Sequence, residues 1–378
     1  MTAPHRPTPL QARVTRPDAV APADLEAWRG MIAATPQFAS PLLGPEFAQL
    51  AGRVRDDVRV AVFARDGETV GVLAHHRRPD RLARPVGAPW SDVHALLTWP
   101  GRPTPWREAL AAADLRAFRF SQLVDPHGVF ADARREPAAA HLLASDPAGG
   151  ETAWERLRAA SPKRFKNIRR LEHKLEREVG PLVLEVERSR DAFEQLVAWK
   201  RDQYGRTGAL DVLHPAWSRA LLEAAFALET PALSGRVITL RAGGRLVAAH
   251  FGVQGGAVFH PWLAGLDPEL RAYSPGVVFL SRLVRSPLGF DRYELGAGCD
   301  AYKTVFSDQS ETVASGIVDV RAAPRRTRAP ALLLERVRSR LDHIAEVDLT
   351  FTDRVHGMAR SMLDAPRRMR AAPGQGAV

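Results

Sequence analysis

Cysteine is almost missing from this chain of 378 residues, which holds one, Cys299. A single thiol excludes an intramolecular disulfide and a cysteine-rich zinc site. The apolar residues and glycines around Cys299 predict a packed, inert side chain rather than a nucleophile. No stretch approaches the roughly 18 consecutive apolar residues of a membrane span. The opening Met1 to Leu10 lacks the apolar core of a signal peptide. The expected location is therefore the cytosol, with peripheral attachment at the inner face of the membrane left open. Lysine is scarce: Lys163, Lys166, Lys174, Lys200 and Lys303 are the only five among 53 basic residues, set against 43 acidic ones. The formal charge of +10 favours anionic partners such as nucleotides, coenzyme A or nucleic acid without choosing among them. There is no His-Glu-x-x-His, no dense carboxylate loop and no phosphate loop ending in lysine and a hydroxyl, so no metal site or ATP hydrolysis is expected. His75 and His76 are adjacent and diverge if they lie on a strand.

What is present suits a folded chain of ordinary composition, 45% apolar and 25% charged, long for one core and comfortable for two. Residues 1–20 mix proline and charge without periodicity and read as a flexible lead. Residues 21–150 read as a first α/β lobe. It has a helix opening at Pro45, strands Val58 to Phe63 and Thr69 to Ala74 around an Asp66-Gly67 hairpin turn, further strands at Ala95 to Thr98 and Phe118 to Val124, and a helix from Trp106 to Ala113. Residues 151–179 form a basic connecting helix restarted at Ser161-Pro162, with Phe165, Ile168, Leu171 and Leu175 on one face. Residues 180–320 form a second α/β lobe in the order strand, helix, helix, three-stranded meander, helix, strand. Residues 321–378 are an Arg-rich tail whose apolar stripe, Leu333, Val337, Leu341, Ile344 and Ala345, predicts a helix, with a disordered end from about Pro373. The fold class is mixed α/β.

Two segments carry candidate chemistry. In Leu270 to Leu280, Ser274 stands at a helix cap, Pro275 at the first helical position and Gly276 in the first turn. A helix start of this kind offers unpaired N–H groups to a pyrophosphate, with Arg271 adding charge and Tyr273 and Val277 flanking. An ordinary capped helix explains the same residues. In Gly289 to Phe306, a strand tip ends in glycines followed by Asp300, Tyr302 and Lys303. Lys303 could neutralise a donor phosphate or an oxyanion, and Asp300 could take a proton from an attacking amine; an ion pair between them closing a loop is the structural alternative. His250 and His260, on neighbouring strands, are further candidate bases, against the commoner buried histidine bound to a backbone group. Trp199, Lys200, Tyr204, Trp262 and Tyr302 could line an acceptor site, or simply pack.

These segments, in this order and spacing, resemble the GNAT-superfamily acetyltransferases of cellulose and exopolysaccharide biosynthesis, which are similar to the FemAB aminoacyltransferases. The likeness runs from about Phe38 to Val320. It includes the basic helix ending in Leu175 and Gly180, Trp199-Lys200 with Tyr204, the strands Val237 to Phe251, Phe259 to Trp262, Tyr273-Ser274-Pro275-Gly276, and Phe290 to Phe306. The resemblance implies two tandem GNAT-like lobes and an acetyl-coenzyme A or related acyl-coenzyme A cosubstrate held near Gly276. It also implies transfer to an amino sugar, saccharide or other envelope precursor. Relatives use either acyl-coenzyme A or aminoacyl-transfer RNA; the absence of a long helical arm favours coenzyme A.

Two other readings compete. Lys163, Arg164, Lys166, Arg169, Arg170 and Lys174 could contact the phosphates of a transfer RNA, although no RNA-reading module accompanies them. The Arg clusters Arg325, Arg326, Arg328 and Arg367, Arg368, Arg370 could hold a regulatory cyclic dinucleotide. Solvated faces and turns explain both sets.

Overall fold

The computed structural model describes residues 8–133, 135–144, 152–298 and 300–321. The expectations for Cys299 and for the Arg-rich tail, including Arg325, Arg326, Arg328, Arg367, Arg368 and Arg370, fall outside these. The described chain forms two mixed α/β units, the first of residues up to 138 with 312–321, the second of residues 139–311.

The first unit begins with β1 (Gln11–Thr15), then α1 (Pro22–Ala33), α2 (Pro45–Val54), β2 (Val58–Arg65), β3 (Glu68–Arg78), β4 (Leu82–Pro85), β5 (Leu97–Thr98), α3 (Trp106–Ala112) and β6 (Ala117–Leu123). Part of the lead expected to be flexible is therefore a strand. Its alternation turns Ala12 and Val14 onto the core, and its backbone pairs antiparallel with β2, Gln11 opposite Ala64 and Thr15 opposite Val60. The Asp66-Gly67 turn joins β2 to β3 as expected, both residues adopting positive φ.

The second unit contains β7 (Arg135–Ala144), α4 (Ala153–Ala160), α5 (Pro162–Glu178), β8 (Leu182–Glu187), α6 (Arg190–Thr207), α7 (Ala216–Ala227), β9 (Ser234–Ala242), β10 (Arg245–Gly255), β11 (Val258–Leu266), α8 (Pro275–Leu283), β12 (Arg292–Ala297) and α9 (Ala301–Phe306). Its strands lie in the order β7-β12-β11-β10-β9-β8. This unit starts before the expected boundary at 180 because α5 belongs to its core: Phe165, Ile168 and Leu175 are buried in one cluster with Ile238, Phe279 and Phe306. It also ends before 320, because β13 (Gln309–Asp319) pairs antiparallel with β6, Ala314 opposite Leu123 and Asp319 opposite Ala117.

Period-2 alternation sorts the meander side chains onto two faces. Ala248 and Phe259 point into the α5/α8 core, whereas Phe251 meets Phe193 of α6, with ring centroids 4.8 Å apart. Gly265 lets α6 approach β11 closely: a Cβ there would lie 2.7 Å from Leu196 and 3.5 Å from Trp199.

Candidate active site

The parallel strands β11 and β12 pair only at Val258–Arg292 and Phe259–Tyr293. Beyond that point β11 runs on to Leu266 and β12 to Ala297 with no further pairing between them. A wedge thus opens in the sheet, along which the β12-facing edge of β11 is not paired to a strand among the described residues. A bulge on the other edge of β11 accompanies it. The register with β10 passes from Phe251–Leu263 to Gly252–Pro261, so Trp262 is the extra residue, which bends the strand. Glycine is required opposite the bulge, because a Cβ at 252 would lie 2.1 Å from the carbonyl oxygen of His260.

His260 and Glu294 are the first residues past the last β11–β12 pair, at the apex of the wedge. The His260 Nδ1 hydrogen-bonds a carboxylate oxygen of Glu294, with both side chains at most 3% exposed. Arg292 donates to the other Glu294 oxygen at 2.8 Å and reaches Glu311 at 3.4 Å. Burial pushes the Glu311 carboxyl upward, the Arg292 charge pulling the other way. A buried carboxylate held by an arginine fixes the histidine tautomer with its hydrogen on Nδ1. Sequence reading named His260 but missed Glu294 and Arg292. The signal available was an acid set between the apolar Tyr293 and Leu295 in a short strand buried on both faces.

His250 occupies a different place from the one expected of a base. It is buried on the α8 face, its ring stacked 3.9 Å from that of Phe279, and its Nδ1 shares a hydrogen bond with the Tyr293 hydroxyl at 2.5 Å. Burial, with the nearby Lys200 charge, lowers it to about 3. It therefore stays neutral and is a weak proton acceptor at neutral pH. The catalytic assignment of His250 is replaced by a packing and hydrogen-bonding one.

On α6, Lys200 is buried and donates to Gln203 at 3.1 Å, and its Nζ lies 5.8 Å from the Tyr204 ring centroid. Burial lowers the amine to about 8. Burial and the Asp211 charge raise Tyr204. Trp199 is half-buried against β11, and the half-buried Trp262 meets Phe251 edge-on at 6.1 Å.

The start of α8 offers fewer amides than the sequence suggested. Ser274 caps nothing with its side chain; it follows a 3-10 turn, Pro268–Tyr273, and is itself left-handed at φ 50°. Its carbonyl accepts from both Val277 and Val278, at 3.0 and 3.2 Å. Pro275 has no N–H, so Gly276 is the first-turn residue whose amide this tight turn does not engage. Gly276 is buried, Ser274 and Val277 half-buried and Arg271 exposed, so the start is not sealed from solvent. Tyr273 donates to Glu178 of α5 at 2.9 Å, which raises its hydroxyl.

The Asp300–Lys303 pair takes the structural alternative. Lys303 is buried and donates to the Ala297 carbonyl at the end of β12 at 2.6 Å, with Asp300 at 3.5 Å. Gly298 makes room for this: a Cβ there would lie 3.2 Å from the lysine nitrogen. The lysine ties α9 to the strand end, and Asp300 is its partner. Tyr302, half-buried beside them, is pushed up to about 12 by burial and the Asp300 charge.

The two adjacent histidines of the first unit diverge: His75 binds the Leu73 carbonyl at 3.1 Å, and His76 binds Asp57 at 3.0 Å and accepts from the Gly87 amide at 2.9 Å. Among the described residues, no group of three or more His, Cys, Asp or Glu side chains could hold a metal ion. No helix there is long and apolar enough to cross a membrane.

Residues 162–304 match the family model described as Acetyltransferase (GNAT) domain, which makes the second unit an acyltransferase domain. No curated protein matches the chain. Among solved structures, it is similar to the C-terminal domain of a putative lysylphosphatidylglycerol synthetase from Agrobacterium fabrum, with TM-score 0.46 and 15% identity over 78% of this chain and 90% of that one. A tandem GNAT protein from the clavulanic acid biosynthesis pathway gives TM-score 0.44 and 14% identity over 83% and 99%. FemX gives 0.45 and 11% over 70% and 87%. At these scores the structural likenesses carry no argument about activity.

Proposed function

We propose that the second unit transfers an acyl group, acetyl being the simplest, from a coenzyme A thioester to an amine of a sugar or saccharide precursor of the cell envelope or an exopolysaccharide. The observation that carries this reading is the wedge between β11 and β12. An extended ligand with amide groups, such as the pantetheine arm, can add to the open β11 edge as a strand would. Its thioester then reaches the apex at His260 and Glu294, and its phosphates lie toward the Gly276 amide and Arg271. The acceptor nitrogen attacks the carbonyl carbon, the C–N bond forms, and the C–S bond breaks with the thiolate leaving. Backbone N–H groups of the β11 edge steady the oxyanion. We assign the proton lost by the amine to His260, whose tautomer Glu294 fixes. The rings of Trp199, Tyr204, Trp262 and Tyr302, with the amine of Lys200, supply mixed apolar and polar surface for a saccharide.

Calorimetric titration with acetyl-coenzyme A tests the donor. Single-site heat is expected from the parent, with affinity lowered about tenfold in Arg271→Glu by loss of one charged phosphate contact. Gly276→Glu, whose folding is checked by a thermal melt, should abolish the heat. No heat from the parent protein would overturn the donor assignment.

A further inference from the structure

Helix α5 carries charge that the acyl-transfer reading does not use. With 3.6 residues per turn, Lys163, Lys166, Arg170, Lys174 and Arg177 fall within a sector of about 80°. The buried side chains Phe165, Ile168, Glu172 and Leu175 centre on the opposite side. The row is about 21 Å long at 1.5 Å per residue. No acid lies in that sector. Glu172 and Glu176 sit on the far flank and are bound by Arg282, and Glu172 also by Arg285. Glu178, at the border, is shared by Lys174 at 3.9 Å, Arg177 at 2.9 Å and Tyr273 at 2.9 Å. Arg170 donates to the neutral Asn167 amide oxygen, at 3.0 and 3.2 Å. One border carboxylate faces five cations.

We infer that this face of α5 docks on a planar anionic surface, the phosphate headgroups of a lipid bilayer. Three observations favour that occupant over nucleic acid. The five cations lie along one side of a 17-residue helix, and such a row meets a flat array along its whole length, whereas a duplex curves away from it. The sector contributes no aromatic side chain on which an unpaired base could stack, and the Tyr273 ring beside it is already engaged by Lys174, at 5.1 Å, and by Glu178. The apolar residues of α5 are already in the core, so the helix rests on headgroups by charge rather than by inserting. Docking of this kind would hold the enzyme against a membrane-borne acceptor, although the charge argument stands apart from the donor assignment.

Sedimentation of the full chain with phosphatidylglycerol–phosphatidylcholine vesicles reads the docking. At low salt the parent should bind, and 0.5 M salt should release it, since exposed charges are then screened within a few ångströms. Pure phosphatidylcholine vesicles should not retain it. Each exposed cation near an anionic surface changes binding about fivefold, so the triple variant K163Q/K166Q/R170Q should bind about 100-fold more weakly. These three side chains are exposed, so the variant's melting curve and acetyl-coenzyme A titration should match the parent's. Equal vesicle binding by the variant would overturn the inference. So would tight binding of a duplex RNA that anionic vesicles fail to displace.

Discussion

Both carboxylate oxygens of Glu172, on α5, lie 2.8 Å from one guanidinium nitrogen of Arg285, just past the end of α8, and Arg282 binds the same carboxylate. The acid is buried while both arginines keep partial access to water. Removing its charge leaves two cations that can rehydrate, a smaller loss than a sealed pair would suffer. Glu172→Gln should lower unfolding free energy by about 1–3 kcal/mol, read from urea melts. A change within error would mean that apolar packing alone joins the two helices.

The dyad at the wedge apex predicts a kinetic split. His260→Ala should lower kcat by about 10²–10⁴ with donor affinity nearly unchanged. Glu294→Gln, which keeps a hydrogen-bond partner but not the charge, should fall between that variant and the parent. Steady-state rates against acetyl-coenzyme A, with calorimetry on the same samples, separate the two quantities. A drop confined to donor affinity would remove His260 from proton transfer.

Lys200 predicts a pH dependence of stability. Its folded value, lowered to about 8 by burial, lies below the unfolded value near 10.4. Between those limits the unfolded chain binds more protons, so this group's contribution to stability rises with pH across the window and is unfavourable below it. Lys200→Met should therefore stabilise the protein at pH 7 by up to about 3 kcal/mol, and the gain over the parent should shrink toward pH 10. Paired urea melts at pH 7 and pH 10 test this; a constant difference would contradict it.

His250 titrates at about 3 when folded, against about 6.5 unfolded, so its contribution to stability rises between those values and is lost in acid. Tyr293→Phe removes the hydroxyl that shares a hydrogen bond with its Nδ1 and should cost about 1–3 kcal/mol. Neither this change nor His250→Gln should move a rate-controlling ionisation between pH 6 and 8. Loss of such an ionisation in the pH–rate profile of His250→Gln would restore the histidine as a base.

At Gly252 the nearest atoms to an added methyl are backbone, beginning with the His260 carbonyl at 2.1 Å. Gly252→Ala should destabilise by about 1–3 kcal/mol or more, with catalytic loss as well because the displaced residue is His260. A thermal melt and one rate measurement suffice, and an unchanged melt would place the bulge elsewhere.

Helices with clear punctuation were legible in the sequence. Pro275 marked the start of α8, and Pro162 that of α5. The glycine hairpin at Asp66-Gly67 joined the strands expected of it. Long-range pairing was not legible. Gln309–Asp319 mixes polar and apolar residues without clean alternation, and long-range pairing, with β6 among its partners, makes it a strand. The site divides similarly. His260 stood out by residue type, but its partner Glu294 is 34 positions away and is brought near by two parallel strands. The left-handed turn at Ser274 and the engagement of Lys303 with a carbonyl are backbone outcomes that residue identity does not encode.

The unpaired margin of β11 has a consequence for handling the protein. A row of peptide groups without a strand beside it is a template on which another polypeptide can polymerise. Turbidity on standing should therefore fall when a thioester ligand covers that margin, and concentrated stocks should keep best with one present.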